Sequence, residues 1–368
     1  MNIPQSSPLR SRQHYAELLE KKIASVLNSG WYILGKEVDA FEAAFAAFCG
    51  TEQCIGCANG TDAIELVLRA MGIRNGNHVA TVANTAVATV AGIERSGAEA
   101  VFADICPETY TMSPDSLKEL LKKDPLIKAI VVVHLFGCPA DMDRILAIAE
   151  KAGIPVIEDC AQAHGAKYKE CPCGSLGTAG CFSFYPTKNL GCLGDGGAVV
   201  TSNPELAGKI RALRQYGWEK RFISSFPGIN SRLDELQAGI LSVKLPFLEK
   251  DNASRRIIAQ KYNEAFRHIQ ELTLPGEPPA SRHVYHQYVI RYAKRNQLRD
   301  YLAANGIASA VHYPVPVHRQ PAYVSRQMAV PLPVTEQVNE MILSLPMFSE
   351  LTETELNYMI EKIQRFFS

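Results

Sequence analysis

The chain has 368 residues, 47% of them hydrophobic, enough to bury a large core and to build more than one domain. Its 38 Lys and Arg balance 38 Asp and Glu, with neither a basic stripe nor a block of like charge, so nucleic acid and membrane surfaces gain no electrostatic footing and the substrate has to be recognised locally. The N-terminus MNIPQSSPLRSRQHY has no signal-peptide core and no later apolar run is long enough for a bilayer, which sets the expectation of a cytoplasmic protein whose ten cysteines stay reduced.

Two helices open the chain. The first spans about residues 13–27 and ends at Asn28-Ser29-Gly30; the second, 36–48, puts Val38, Phe41, Phe45 and Phe48 on one apolar face and stops at Gly50. The rhythm then changes. Strand-like runs at 53–57, 78–82, 100–103, 129–134 and 155–158 alternate with helix-length runs at 61–71, 86–95, 115–122 and 141–152, the pattern of a mostly parallel sheet covered by helices on both faces. Cys54-x-x-Cys57 and Cys171-Pro-Cys173 look like halves of a zinc site, but no matching half follows either, so packing is the expected role and no metal is assigned.

The next stretch, GCFSFYPTKNLGCLGDGGAVV (180–200), holds the most informative residue. Small or polar Cys181 and Ser183 alternate with Phe182 and Phe184, as in a strand against a core; Pro186 stops it, and Lys188 sits between Pro186 and Gly191 ahead of a glycine cluster. Such a lysine is positioned. Helices at 204–215, 231–248 and 251–266 follow. Pro275, Gly276, Pro278 and Pro279 then mark a linker, after which 284–291, 295–305, 307–311 and a closing helix at 352–366 suggest a smaller α+β unit. The expected division is a large cofactor-binding domain over 1–250 and a small C-terminal domain over 251–368.

Chemistry gathers at the strand ends, where open parallel sheets bind ligands. Asn59-Gly60-Thr61-Asp62 joins a strand to a helix whose N-terminal N–H groups suit a phosphate or an ordinary cap. IPVIEDCAQAHG (154–165) ends an apolar strand on Glu158-Asp159; read alone, Asp159 is a metal ligand, a helix cap or the partner of a positively charged ring nitrogen. A phosphate nest, a strand-end carboxylate and a positioned lysine together meet the requirements of pyridoxal phosphate chemistry.

From about Trp31 to the C-terminus the chain resembles the DegT/DnrJ/EryC1/StrS sugar aminotransferases, a fold-type I branch of pyridoxal 5'-phosphate enzymes. The resemblance rests on NGTDA (59–63), HLFGCPADM (134–142), EDCAQAHGA (158–166), FSFYPTKNLGCLGDGGA (182–198), GINSRLDELQA (228–238) and HYPVPVH (312–318). It implies Lys188 as the Schiff-base lysine and Asp159 as the partner of the pyridinium nitrogen. Gln162 is implied at the ring's phenolic oxygen, Gly60, Thr61 and Ser183 at the phosphate, and Asn230 at the phosphate of a neighbouring subunit in a homodimer. One position departs: where relatives carry an aromatic residue that stacks on the ring, this chain has Ala86, with Asn84 and His134 as candidates to fill the space. The motif combination is most similar to enzymes that aminate dTDP-linked 3-keto-6-deoxyhexoses with glutamate as donor. Tyr32, Tyr185, Tyr216, His312, Tyr313 and His318 are the substrate candidates. Amination at C4 of a UDP- or dTDP-sugar, and a non-transaminating dehydratase or regulatory protein on the same scaffold, stand as alternatives.

Overall fold

The computed structural model describes residues 1–324 and 328–368. Seven strands form the main sheet: β1 (Gln53–Cys57), β2 (His78–Val82), β3 (Glu99–Ala103), β4 (Ile127–Val133), β5 (Val156–Asp159), β6 (Ala179–Ser183) and β7 (Gly197–Thr201). Their order is β1-β7-β6-β5-β4-β2-β3, and β7 alone runs antiparallel to its neighbours. Strand order reverses between β2 and β4, which opens a crevice at their C-terminal ends.

The alternation read along 180–184 divides two cores. Cys181 joins Val67, Val90, Leu117 and Ile145 on the face covered by helices Gly60–Ala70, Val87–Arg95, Pro114–Lys123 and Met142–Ala152. Phe182 and Phe184 enter the other, where both meet Phe45 edge-on at ring separations of 5.0 and 5.3 Å. Edge-to-face aromatic pairs add about 0.5–1.5 kcal/mol to the area they bury, which fixes helix Lys36–Cys49 against the strand that leads to Lys188.

Helix Lys36–Cys49 ends as expected at Gly50, whose left-handed φ of 68° an L side chain resists. Its N-terminus is held from far along the chain: the Glu235 carboxylate accepts from the N–H groups of Gly35, Glu37 and Val38 at 2.8, 3.0 and 2.9 Å. The long helix expected over 231–248 is shorter. Ser231 is drawn out of it by the Ala58 N–H, which donates to its hydroxyl at 3.0 Å, and the regular helix spans Glu235–Lys244.

A third core gathers Tyr262, Phe266, Tyr288, Leu298, Leu343 and Met359 from helix Leu248–Phe266 and the segments that follow it, and Ile3 returns to it. Two further expectations are corrected there. Only Tyr288–Arg291 of the run 284–291 is strand, paired with Ile342–Leu345, because Val284 and Gln287 donate their N–H groups to the Gly137 and Phe136 carbonyls. Residues 307–311 form no strand and make only isolated bridges at Ile307 and Ala310. Among the described residues no helix is long and apolar enough to cross a membrane.

Candidate active site

Register brings the distant motifs to one edge of the sheet. Cys57 at the end of β1 pairs with Gly197, which pairs with Ser183 at the end of β6, while Val133, Asp159 and Cys181 lie side by side at the ends of β4, β5 and β6. The turn after β1 therefore rests on Ser183 and Gly197. A Cβ on Gly60 would come 2.8 Å from the Ser183 Cβ, and one on Gly197 would come 2.4 Å from the Asn59 carbonyl carbon, so only glycine closes this cradle. Asn59 caps helix Gly60–Ala70 by accepting from the Asp62 N–H at 2.8 Å, and the Gly60 and Thr61 N–H groups stay outside the helical ladder.

Lys188 follows a turn closed by its own N–H on the Tyr185 carbonyl at 2.8 Å. A Cβ on Gly191 would fall 2.6 Å from the Pro186 oxygen, which holds the two ends of this turn together. Burial pushes the Lys188 amine down from 10.5 to about 8, against the upward pull of Asp159. Three imidazoles near it are held neutral by burial and by its charge: His312 at about 4, His164 at about 3 and His286 well below the usual value.

Asp159 and Glu158 part company. Asp159, 5% exposed, turns to the cleft, with Oδ1 accepting from the Ala161 N–H at 3.0 Å and Oδ2 from the Thr89 hydroxyl at 2.7 Å. Glu158 points the other way into a closed cage. It accepts from the N–H groups of Gly174, Leu176 and Gly177 and from His134 Nε2 at 2.9 Å, while the Ala140 N–H donates to His134 Nδ1, which settles the tautomer. His134, Glu158 and Cys160 lie close enough to suggest a metal site, but the first two have committed their ligand atoms and burial beside Glu158 raises the Cys160 thiol well above its usual range. With both ring nitrogens committed to Glu158 and Ala140, His134 does not line the cleft beside Ala86, and the expectation that it fills that space is corrected.

A cleft of ≈ 260 Å³ is lined by Gly60, Thr61, Ser183, Asp159, Gln162 and Lys188, and along one wall by Thr85, Ala86 and Thr89. A wider surface groove of ≈ 800 Å³ between Arg69 and Pro227 contains none of the expected site residues. Gln162 is pinned at both ends, its Oε1 accepting from the Phe136 N–H at 2.6 Å and its amide donating to the Tyr313 hydroxyl at 3.1 Å. Of the substrate candidates, Tyr185 lines the cleft and Tyr313 adjoins it through Gln162, while His312 holds Ser344 at 2.8 Å. His318 is corrected: it is buried against Glu336 at 3.0 Å and does not line the cleft. Tyr32, Tyr216 and Asn230 are exposed and line no part of this chain's cleft. The reading of ANTAVAT for Ala86 alone missed Thr85 and Thr89; two hydroxyls four residues apart at a helix start were the available signal.

A seven-stranded sheet of this order, with a lysine turn after β6 and a carboxylate ending β5, defines a fold-type I aminotransferase. Residues 14–364 match the DegT/DnrJ/EryC1/StrS aminotransferase family, and the chain belongs to it. It is 44% identical over 354 residues, 96% of either chain, to the dTDP-3-amino-3,6-dideoxy-alpha-D-galactopyranose transaminase of Aneurinibacillus thermoaerophilus. It is 42% identical over 370 residues, 100% of this chain and 99% of the other, to the pleiotropic regulatory protein of Geobacillus stearothermophilus. The crystal structure of S. venezuelae DesV superposes with a TM-score of 0.96 at 37% identity, covering 99% of this chain and 98% of that one.

Proposed function

We propose that the protein transfers an amino group from glutamate to the C3 keto group of a dTDP-linked 6-deoxyhexose. The observation that carries this reading is the shared cleft of Lys188, with its amine lowered to about 8, Asp159 and the Gly60 cradle. These residues fit pyridoxal 5'-phosphate: free N–H groups and the Thr61 and Ser183 hydroxyls suit the phosphate, Asp159 the protonated ring nitrogen, Gln162 the phenolic oxygen and Lys188 the aldehyde. When bound, the cofactor supplies a carrier for the amino group and a ring that accepts the electrons of the C–H bond being broken.

The chain's own residues do the rest. Lys188 Nζ takes the proton from the carbon bearing the amino group and returns it across the same face, a task suited to a group that titrates near neutrality. Asp159, held by the Thr89 hydroxyl and the Ala161 N–H, offers its carboxylate to the ring nitrogen. In a homodimer with shared sites, the partner's Asn230 would reach the phosphate; the exposure of Asn230, outside its own chain's cleft, supports this arrangement. We assign the cofactor to 1–250 and the smaller unit to 251–368, with Ile3 crossing back to it.

The test is to incubate purified protein with pyridoxal phosphate, glutamate and either the 3-keto or the 4-keto dTDP-6-deoxyhexose. Mass spectrometry should find the amino sugar with the 3-keto substrate. Amination of the 4-keto sugar alone would move the assignment to C4, and binding without glutamate-dependent product from either would overturn transamination.

A further inference from the structure

Asp159 does not stand in the cleft by itself. Ala86, at φ −60° and ψ 139°, ends the extended chain and caps helix Val87–Arg95, which places Thr85 just before the helix and Thr89 in its first turn. A threonine there ordinarily satisfies its hydroxyl on a nearby carbonyl of its own helix. Thr89 instead reaches across to β5 and meets Asp159 Oδ2 at 2.7 Å, while its oxygen lies 2.9 Å from the Thr85 hydroxyl. All three groups are buried.

We infer that Thr89 is the positioning residue for Asp159, and that Thr85 orders Thr89. A carboxylate only accepts, so the single Thr89 proton goes to Asp159 and the Thr85 proton goes to Thr89, giving a one-way chain. The Ala161 N–H on Oδ1 at 3.0 Å supplies the second fixed donor. With one donor on each oxygen the carboxyl plane is held against turning, and acceptor capacity remains on the cleft side for a protonated ring nitrogen. This rests on the assignment of Asp159 to the cofactor ring.

The test uses full-length protein stripped of cofactor and titrated with pyridoxal phosphate, comparing wild type with Thr89→Val, Thr89→Ser, Thr85→Val, Asp159→Asn and the Thr89→Val/Asp159→Asn pair. A hydrogen bond to a charged group predicts roughly tenfold weaker binding in Thr89→Val with a shifted visible absorption, restored in Thr89→Ser. Thr85→Val should show a smaller loss of the same kind, and it reads the chain even where Thr89→Val folds poorly. In the Asp159→Asn background Thr89→Val should add less than about twofold, because the charge it positions is gone. Wild-type affinity and absorption in Thr89→Val and Thr85→Val, or an undiminished loss in the double variant, would overturn the inference. An Asp159→Asn protein that transaminates at near the wild-type rate would instead overturn the ring-nitrogen assignment beneath it.

Discussion

Replacing Lys188 by methionine tests the depressed amine without any cofactor. In the unfolded chain the amine titrates near 10.5, and in the fold near 8. Below pH 8 both states carry the charge and the fold bears the cost of desolvating it. Between 8 and 10.5 the folded lysine is neutral while the unfolded one is charged, so unfolding takes up a proton and stability climbs with pH; above that range the cost is gone. A shift of this size corresponds to about 3 kcal/mol. Lys188 keeps some contact with solvent, so about 1–3 kcal/mol is expected. Urea unfolding of the cofactor-free proteins at pH 7 should show Lys188→Met more stable by that amount, and the gap should close as pH approaches 10. A difference that ignores pH would refute the argument. The same shift leaves roughly a tenth of the amine uncharged at pH 7, where an ordinary lysine would leave far less than a hundredth.

Mixing Lys188→Ala with Asn230→Ala chains should restore activity on subunit exchange, because one site of the hybrid would carry both lesions and the other neither; silence after confirmed exchange would place Asn230 in its own chain's service. Ala86→Phe should leave pyridoxal phosphate bound but raise the KM for the keto sugar or abolish turnover, since a ring added to a cleft of ≈ 260 Å³ takes room the substrate needs; unchanged cofactor affinity and kinetics would put Ala86 away from the reaction. Glu158→Gln turns an amide donor toward N–H groups that now find an acceptor, and should cost about 3 kcal/mol or more in urea unfolding. An unaltered midpoint would show the cage to be dispensable.

Local pattern made much of the fold legible. Alternation around Phe182 and Phe184, the stop at Pro186 and the glycines after Lys188 described a strand and turn that the structure reproduces, because each depends on neighbours within a few residues. What stayed hidden depends on distant partners. No nearby residue announces that Glu235 caps a helix 198 positions earlier, or that Thr89 serves a carboxylate 70 positions later. His134 misled for a related reason: its motif placed it at a strand end, but only Glu158 and Ala140 decide which way the ring turns. Residues 307–311 had strand composition without a continuous partner. Composition cannot supply one.

The closed cage around Glu158 also sets how the cleft can breathe. Adjacent residues at the end of β5 face opposite ways, one gripped by four donors and the next offered to the cleft, so the floor is riveted from behind. Amide hydrogens of Gly174, Leu176 and Gly177 should therefore be among the slowest to exchange with deuterated solvent. Segment 312–318 is tied across the cleft by bonds to Gln162, Ser344, Glu336 and the Ala83 carbonyl. Opening the cleft on the His312–Tyr313 side would therefore have to break bonds to Ser344 and Gln162, while the Asp159 carboxylate beneath keeps its two donors throughout.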